Sequence, residues 1–206
     1  MKLGAFDYLM KPLRPEDVAH RLQHIADLDN LRSENRRLRK LVDTDALPSP
    51  KSRSVAMQQV ETLADKVAGT DSTVLITGES GTGKSFLARY IHRRSPRADR
   101  PLIQVNCGAV PEQLLESEFF GHVKGAFTDA VKDRIGRFEA AHEGTLFLDE
   151  IGNIPPGMQQ KLLNAIQNRE IHRVGSPKAS PVDIRLVSAT NQDIYKLTNQ
   201  GLFRND

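Results

Sequence analysis

The octapeptide Gly78, Glu79, Ser80, Gly81, Thr82, Gly83, Lys84, Ser85 carries the first chemistry visible in the chain. It follows the pattern G-x-x-x-x-G-K-S/T, and it sits where that pattern works, between the apolar stretch VLIT and the amphipathic FLARYIHRR. Glycines at 78, 81 and 83 let backbone N–H groups turn inward around phosphate oxygens, and the start of the following helix adds partial positive charge. Lys84 would then bridge β- and γ-phosphates, and the Ser85 hydroxyl would ligate Mg²⁺, a hard cation that prefers oxygen.

A second group lies in GTLFLDE, where an apolar run ends on Asp149 and Glu150. In a parallel sheet, ligands gather at the carboxyl ends of strands, so this acidic pair would face phosphates held beyond the first strand. Asp149 could hold Mg²⁺ through water, and Glu150 could orient and deprotonate an attacking water. Taken alone, the pair reads equally well as a helix N-cap. RLVSATN brings Thr190 and Asn191 to the same edge, as γ-phosphate contacts or as ordinary turn residues, and IQVNC ends there with Asn106.

Between these strands runs ESEFFGHVKGAFTDA, Glu116 to Ala130, with glycines at 121 and 125 around three phenylalanines. Exposed aromatics on a glycine-punctuated loop are costly to solvate and suggest a partner surface. Phe119 and Phe120 read more readily as core, and Phe127 more readily as exposed.

The elements that must position these residues alternate. Strands are expected at Val74–Thr77, Leu102–Asn106, Leu146–Asp149 and Arg185–Thr190, with a helix over Met57–Val67 and helical stretches between the first three strands. That order implies an α/β fold with a largely parallel sheet. Upstream, Ala5 to Met10 reads as a short strand, followed by a turn at Lys11-Pro12 and a helix opening after Pro15. Leu28, Leu31, Asn35, Leu38 and Val42 then fall at coiled-coil spacing, which fits either a dimerising helix or a solvated linker. The proline- and serine-rich DTDALPSPKSRS, Asp43 to Ser54, marks a boundary.

The composition frames this reading. At 206 residues, with 38% hydrophobic and 27% charged residues and a net charge of +3, the chain has material for one core and part of another, and no strong electrostatic case for nucleic acid. No apolar run approaches the ~20 residues needed to cross a bilayer, so a cytoplasmic protein is expected. The single cysteine, Cys107, can form no intrachain disulfide.

GESGTGKS, ESEFFGHVKGAFTDA, GTLFLDEIGNIP, RVGS, SATN and FRND together resemble the AAA+ domain of sigma-54-dependent transcriptional activators, from about Ser54 to Asp206. MKLGAFDYLMKP resembles the end of a response-regulator receiver domain. The resemblance implies a P-loop NTPase core, a parallel sheet flanked by helices. It divides the chain into a receiver remnant (1–27), a linker helix (28–47) and an incomplete ATPase domain (48–206).

It further implies ATP and Mg²⁺ as ligands, bound by Gly78 to Ser85 with Asp149. Glu150 would be the water-activating residue, Thr190 and Asn191 γ-phosphate sensors, Asn106 a switch that holds Glu150 at rest, and Arg204 an arginine finger reaching the neighbouring subunit. The loop Gly125, Ala126, Phe127, Thr128, Asp129, Ala130 would engage the sigma-54 RNA polymerase holoenzyme, and the chain would pair with itself through the linker and in a hexameric ring. Asp129 stands where the family has glycine, and Ser52 where a glycine usually opens the segment near the adenine site. On this resemblance the chain ends before a second arginine finger, a last strand, the lid and the DNA-binding module. Two functional readings follow: an ATP-hydrolysing activator module, or a nucleotide-binding and oligomerisation fragment without turnover. A GTPase or kinase would leave GAFTDA and FRND unexplained.

Overall fold

The computed structural model describes residues 54–205 and, before them, Pro15, Val18, Ala19, Leu22, Gln23, Ile25, Ala26, Asp27 and Glu34. The chain divides into two compact units, Met1–Pro48 and Ser49–Asp206. In the first, every described residue is helical, and Gln23 Nε2 donates to Asp27 Oδ1 one turn on at 3.2 Å. The expected strand at 5–10, the Lys-Pro turn, all of the coiled-coil positions and Ser52 lie outside the described residues.

The second unit opens with α1 (Val55–Ala68), β1 (Val74–Thr77), α2 (Lys84–Arg93), β2 (Leu102–Asn106) and α3 (Glu112–Phe120). A two-residue pair of strands, β3 (Gly121–His122) and β4 (Arg134–Ile135), brackets the GAFT loop, followed by α4 (Arg137–Ala140) and β5 (Thr145–Asp149). A 3₁₀ turn (Ile151–Asn153), α5 (Pro156–Asn168), the hairpin β6 (Glu170–His172) and β7 (Ala179–Pro181), then β8 (Arg185–Thr190) and α6 (Ile194–Asn199) complete it. The four expected strands are present, with β5 starting one residue early at Thr145. The small antiparallel pairs carry no alternating apolar pattern and were not legible.

β1, β8, β5 and β2 lie in that order, all parallel. Alternation along a strand sends neighbouring side chains to opposite faces, and β5 shows the result. Leu146 and Leu148 enter a core with Phe119, Phe120, Phe138 and Leu162 on one face, while Phe147 joins Val187, Ile76, Leu87 and Ile91 on the other. Helices α1 and α2 therefore cover one face, and α3 to α5 the other.

Arg185 opens β8 and is 1% exposed. Its Nη1 donates to Ala68 O at 2.9 Å and its Nη2 to Val67 O at 2.7 Å, tying the start of β8 to the C-terminal end of α1, where positive charge is favoured. Strand register decides the functional edge. Asn106 pairs with Asp149, and Thr77 with Thr190, so all four parallel strands run out together on one side.

Candidate active site

The phosphate loop leaves β1 and enters α2 through backbone that only glycine adopts cheaply: φ is +79° at Gly81 and +91° at Gly83. Nothing lies within 4 Å of where a Cβ would project at either position. Lys84 Nζ turns back over the loop, donating to Gly78 O at 2.9 Å and Glu79 O at 2.7 Å. An ammonium has three donors, so one remains for a ligand. Thr82 Oγ1 donates to Glu79 O at 2.8 Å, and Gly78 N donates to Thr190 O at 3.2 Å, which docks the loop on β8.

Sixty-four positions apart in sequence, Ser85 Oγ donates to Asp149 Oδ2 at 3.0 Å. A hydroxyl and a carboxylate oxygen at this separation are the hard donors that Mg²⁺ takes while keeping water or phosphate in its other positions. Among the described residues no group of three or more His, Cys, Asp and Glu could hold a metal by itself. Asp149 Oδ1 accepts from Glu150 N at 3.1 Å, so this carboxylate has both oxygens engaged.

Glu150 has φ +57° and ψ +45°, the left-handed region, which costs a side-chain-bearing residue of order 1–3 kcal/mol. The helix-cap alternative fails here: Glu150 makes no side-chain cap hydrogen bond to the 3₁₀ turn, and α5 begins only at Pro156. Its carboxylate instead accepts from Asn153 Nδ2 at 3.3 Å, and Asn153 Oδ1 accepts from Gln192 Nε2 at 2.6 Å. Sequence reasoning singled out neither Asn153 nor Gln192. Gln192 directly follows Asn191 and Asn153 comes three residues after Glu150, and the only signal would have been an amide shortly after each of two strand ends.

Asn106 ends β2 at the same edge. Its Oδ1 accepts from Gly108 N at 2.8 Å and Ala109 N at 3.2 Å, capping the turn after β2. Thr190 is fully buried and its Oγ1 accepts from Gln192 N at 3.0 Å, while Asn191 stands exposed beside it. Arg204 is exposed, and its backbone N donates to Gln159 Oε1 at 2.9 Å, tying the end of the described chain to α5. Cys107 lies 2% exposed beneath this edge; burial, then the charges of Asp149 and Glu150, push its thiol up to about 12.

The GAFT loop is a closed turn. Gly125 N donates to Ala130 O at 2.8 Å and Ala130 N to Phe127 O at 3.0 Å. Phe127 is 39% exposed, its ring centroid 4.9 Å from that of buried His122, whereas Phe119 and Phe120 are core. Gly125 has φ +82°; Asp129 is not among the residues of positive φ, so its side chain adds charge here without backbone strain. Gly175, in the β6–β7 connection, backs the loop closely, since a Cβ there would come 2.7 Å from Ala126 Cβ.

A strand, a glycine-rich turn and a helix, with an acidic strand end hydrogen-bonded to the loop's serine, define a P-loop NTPase core of AAA+ type. The sigma-54 interaction domain family matches residues 51–206, and the chain belongs to that family. It is 45% identical over 207 residues to the regulatory protein AtoC of Escherichia coli K12, covering 100% of this chain and 45% of that protein. It is 47% identical over 214 residues to the transcriptional regulatory protein ZraR of the same organism, covering 100% of this chain and 46% of ZraR. The chain thus spans about half the length of these relatives. The crystal structure of NtrX from Brucella abortus in complex with ATP superposes with a TM-score of 0.71 at 33% identity, covering 98% of this chain and 45% of NtrX. No helix among the described residues is long and apolar enough to cross a membrane.

Proposed function

We propose that this chain is the ATP-binding and ATP-hydrolysing module of a cytoplasmic sigma-54-dependent regulator that remodels the closed complex of RNA polymerase with sigma-54. The observation that carries the reading is the 3.0 Å hydrogen bond from Ser85 to Asp149, which joins the phosphate loop to the acidic end of β5. Gly78 to Ser85 cradle the phosphates with backbone N–H groups, and Lys84 moves its ammonium from the loop carbonyls to the β- and γ-phosphates. Mg²⁺, held by Ser85 and Asp149, would supply charge neutralisation at the phosphates.

Glu150 takes the proton of the attacking water, and Thr190 and Asn191 report the γ-phosphate. Asn106 is the switch that holds Glu150 at rest. Arg204 completes the site of a neighbouring copy, which ties turnover to a hexameric ring. The loop from Gly125 to Ala130 presents Phe127 and Asp129 to sigma-54. Residues 1–27 are similar to the end of a receiver domain, and residues 28–47 are a linker that pairs with a second copy.

Fluorescent-nucleotide titration and phosphate release test this. The wild-type chain should bind and hydrolyse ATP; Lys84→Ala should lose both. Glu150→Gln should bind while turnover falls by roughly 10²–10⁴-fold, the usual worth of a general base. Undiminished turnover in either variant would overturn the reading. Binding without turnover by the wild-type chain would leave a nucleotide-binding fragment in its place.

A further inference from the structure

Gln159, in the first turn of α5, is a buried polar side chain with no part in the mechanism above. It is 7% exposed, and an amide at that depth costs stability unless its donors and its oxygen find partners. All of its partners are backbone atoms. Nε2 donates to Ile154 O at 2.8 Å and to Leu202 O at 2.9 Å, and Oε1 accepts from Arg204 N at 2.9 Å. Both N–H donors of the amide are thus used. Turned over, the amide would set its oxygen against two carbonyl oxygens and its nitrogen against an N–H, so only this orientation fits.

Two of the three bonds converge on the segment that carries Arg204. Leu202 O and Arg204 N flank Phe203, whose side chain packs against the core that holds Met158 and Leu162 of α5. Just before it, Leu202 N and Phe203 N both donate to Leu197 O, at 2.9 and 3.3 Å, closing α6. The backbone is therefore held on both sides of Phe203, and Arg204 leaves it as an exposed residue. A long, rotamer-rich side chain is delivered reproducibly to a distant phosphate only when its Cα is fixed. The remaining bond, to Ile154 O, reaches the residue that ends the 3₁₀ turn after Glu150, so one amide sets Arg204 relative to the end of β5.

We propose that Gln159 is a positioning residue for catalysis in a neighbouring copy: its amide fixes the Cα of Arg204, and with it the direction from which this arginine reaches the neighbour's nucleotide. The proposal rests on the reading of Arg204 as the residue that completes the neighbour's site. Its address separates it from a structural role. Damage at Gln159 falls on the next copy's nucleotide and spares the site of the chain that carries it.

Steady-state phosphate release by single variants and by mixtures of two tests it. Gln159→Met keeps the length and loses all three bonds; kcat should fall about 10- to 100-fold, the cost of a misplaced catalytic group, with ATP affinity within about twofold. Gln159→Glu keeps the acceptor for Arg204 N and should fall between Gln159→Met and wild type. Arg204→Ala should lose at least as much as Gln159→Met. Mixed with Glu150→Gln, whose own site is dead and whose Arg204 is intact, Gln159→Met should recover turnover severalfold above the sum of the two measured apart. In a head-to-tail ring the two variants meet at contacts that join an intact site to an intact arginine.

An independent readout is hydrogen exchange at the Arg204 amide, which should be slow in the wild-type chain and at least about tenfold faster in Gln159→Met. The positioning role is overturned, and that of Arg204 stands, if Gln159→Met keeps the wild-type kcat or if its Arg204 amide exchanges no faster. The same holds if Glu150→Gln rescues Arg204→Ala and not Gln159→Met. If Arg204→Ala turns over normally, if its mixture with Glu150→Gln does not recover, or if the wild-type chain does not turn over, the reading beneath the proposal falls instead.

Discussion

The phosphate loop and the Glu150 turn sit at the same sheet edge and both use left-handed backbone, yet they reach it by opposite routes. At Gly81 and Gly83 the conformation is assigned to residues without a Cβ, and the hydrogen bonds of Thr82 and Lys84 reach back only three to six positions. At Glu150 it is imposed on a residue with a long charged side chain, and the chain of contacts reaches 39 positions from Asn153 to Gln192. The loop's own side-chain bonds are local, and Gly78 N adds one to Thr190 O on β8. The turn stores strain that its neighbours hold, as is common at catalytic groups.

The sharpest separation of the two is expected between affinity and rate. Lys84→Ala should lower nucleotide affinity by about 100-fold, roughly 2.7 kcal/mol. Glu150→Gln should leave affinity unchanged and act on turnover alone. Equal losses of affinity in both would erase the distinction.

Stability should move in opposite directions. In Gly83→Ala the added Cβ meets no neighbour within 4 Å, so its cost is that of the backbone, about 1–2 kcal/mol in a urea titration. Glu150→Gly should gain roughly 0.5–1 kcal/mol, the relieved strain less the entropy of an added glycine, while turnover is lost. A destabilised Glu150→Gly protein would show that the turn carries no strain worth relieving.

Beneath the turn, Cys107 should resist alkylation at pH 8 until the protein unfolds, because its thiol is buried and held near 12. Prompt labelling of the folded chain would mean that this edge opens readily.

The smallest effect is expected at a surface pair remote from both. Arg97 Nε donates to Asp71 Oδ1 at 3.0 Å and holds that carboxyl below its ordinary 3.8. A lowered folded-state value stabilises the fold above the unfolded value and is lost as pH falls through the folded one. Asp71 is largely exposed, so Asp71→Asn should cost at most about 0.5 kcal/mol at pH 7, and the gap should close in acid. A larger cost would place the pair among the core supports of the sheet.

The four strands, the phosphate loop and the fates of Phe119, Phe120 and Phe127 were legible because each is written in a short run of sequence. VLIT and TLFLD are apolar stretches bounded by turns, and glycine spacing announces the loop. Asp149 was legible for the same reason, at the end of an apolar run. The hairpins β3–β4 and β6–β7 were not, since two- or three-residue strands have no period to detect. The capping of the turn after β2 by Asn106 Oδ1 depends on where neighbouring backbone N–H groups point.

By itself the sequence determined which residue types reach the carboxyl ends of the strands, because strand period and glycine placement are local properties. Only the tertiary structure decided how those residues pair. Parallel register brought Asp149 to Ser85, and the approach of β8 to the turn after β5 brought Gln192 to Asn153 and so to Glu150. Such pairings arise from packing two faces of one sheet between helices, and no spacing within a single segment encodes them.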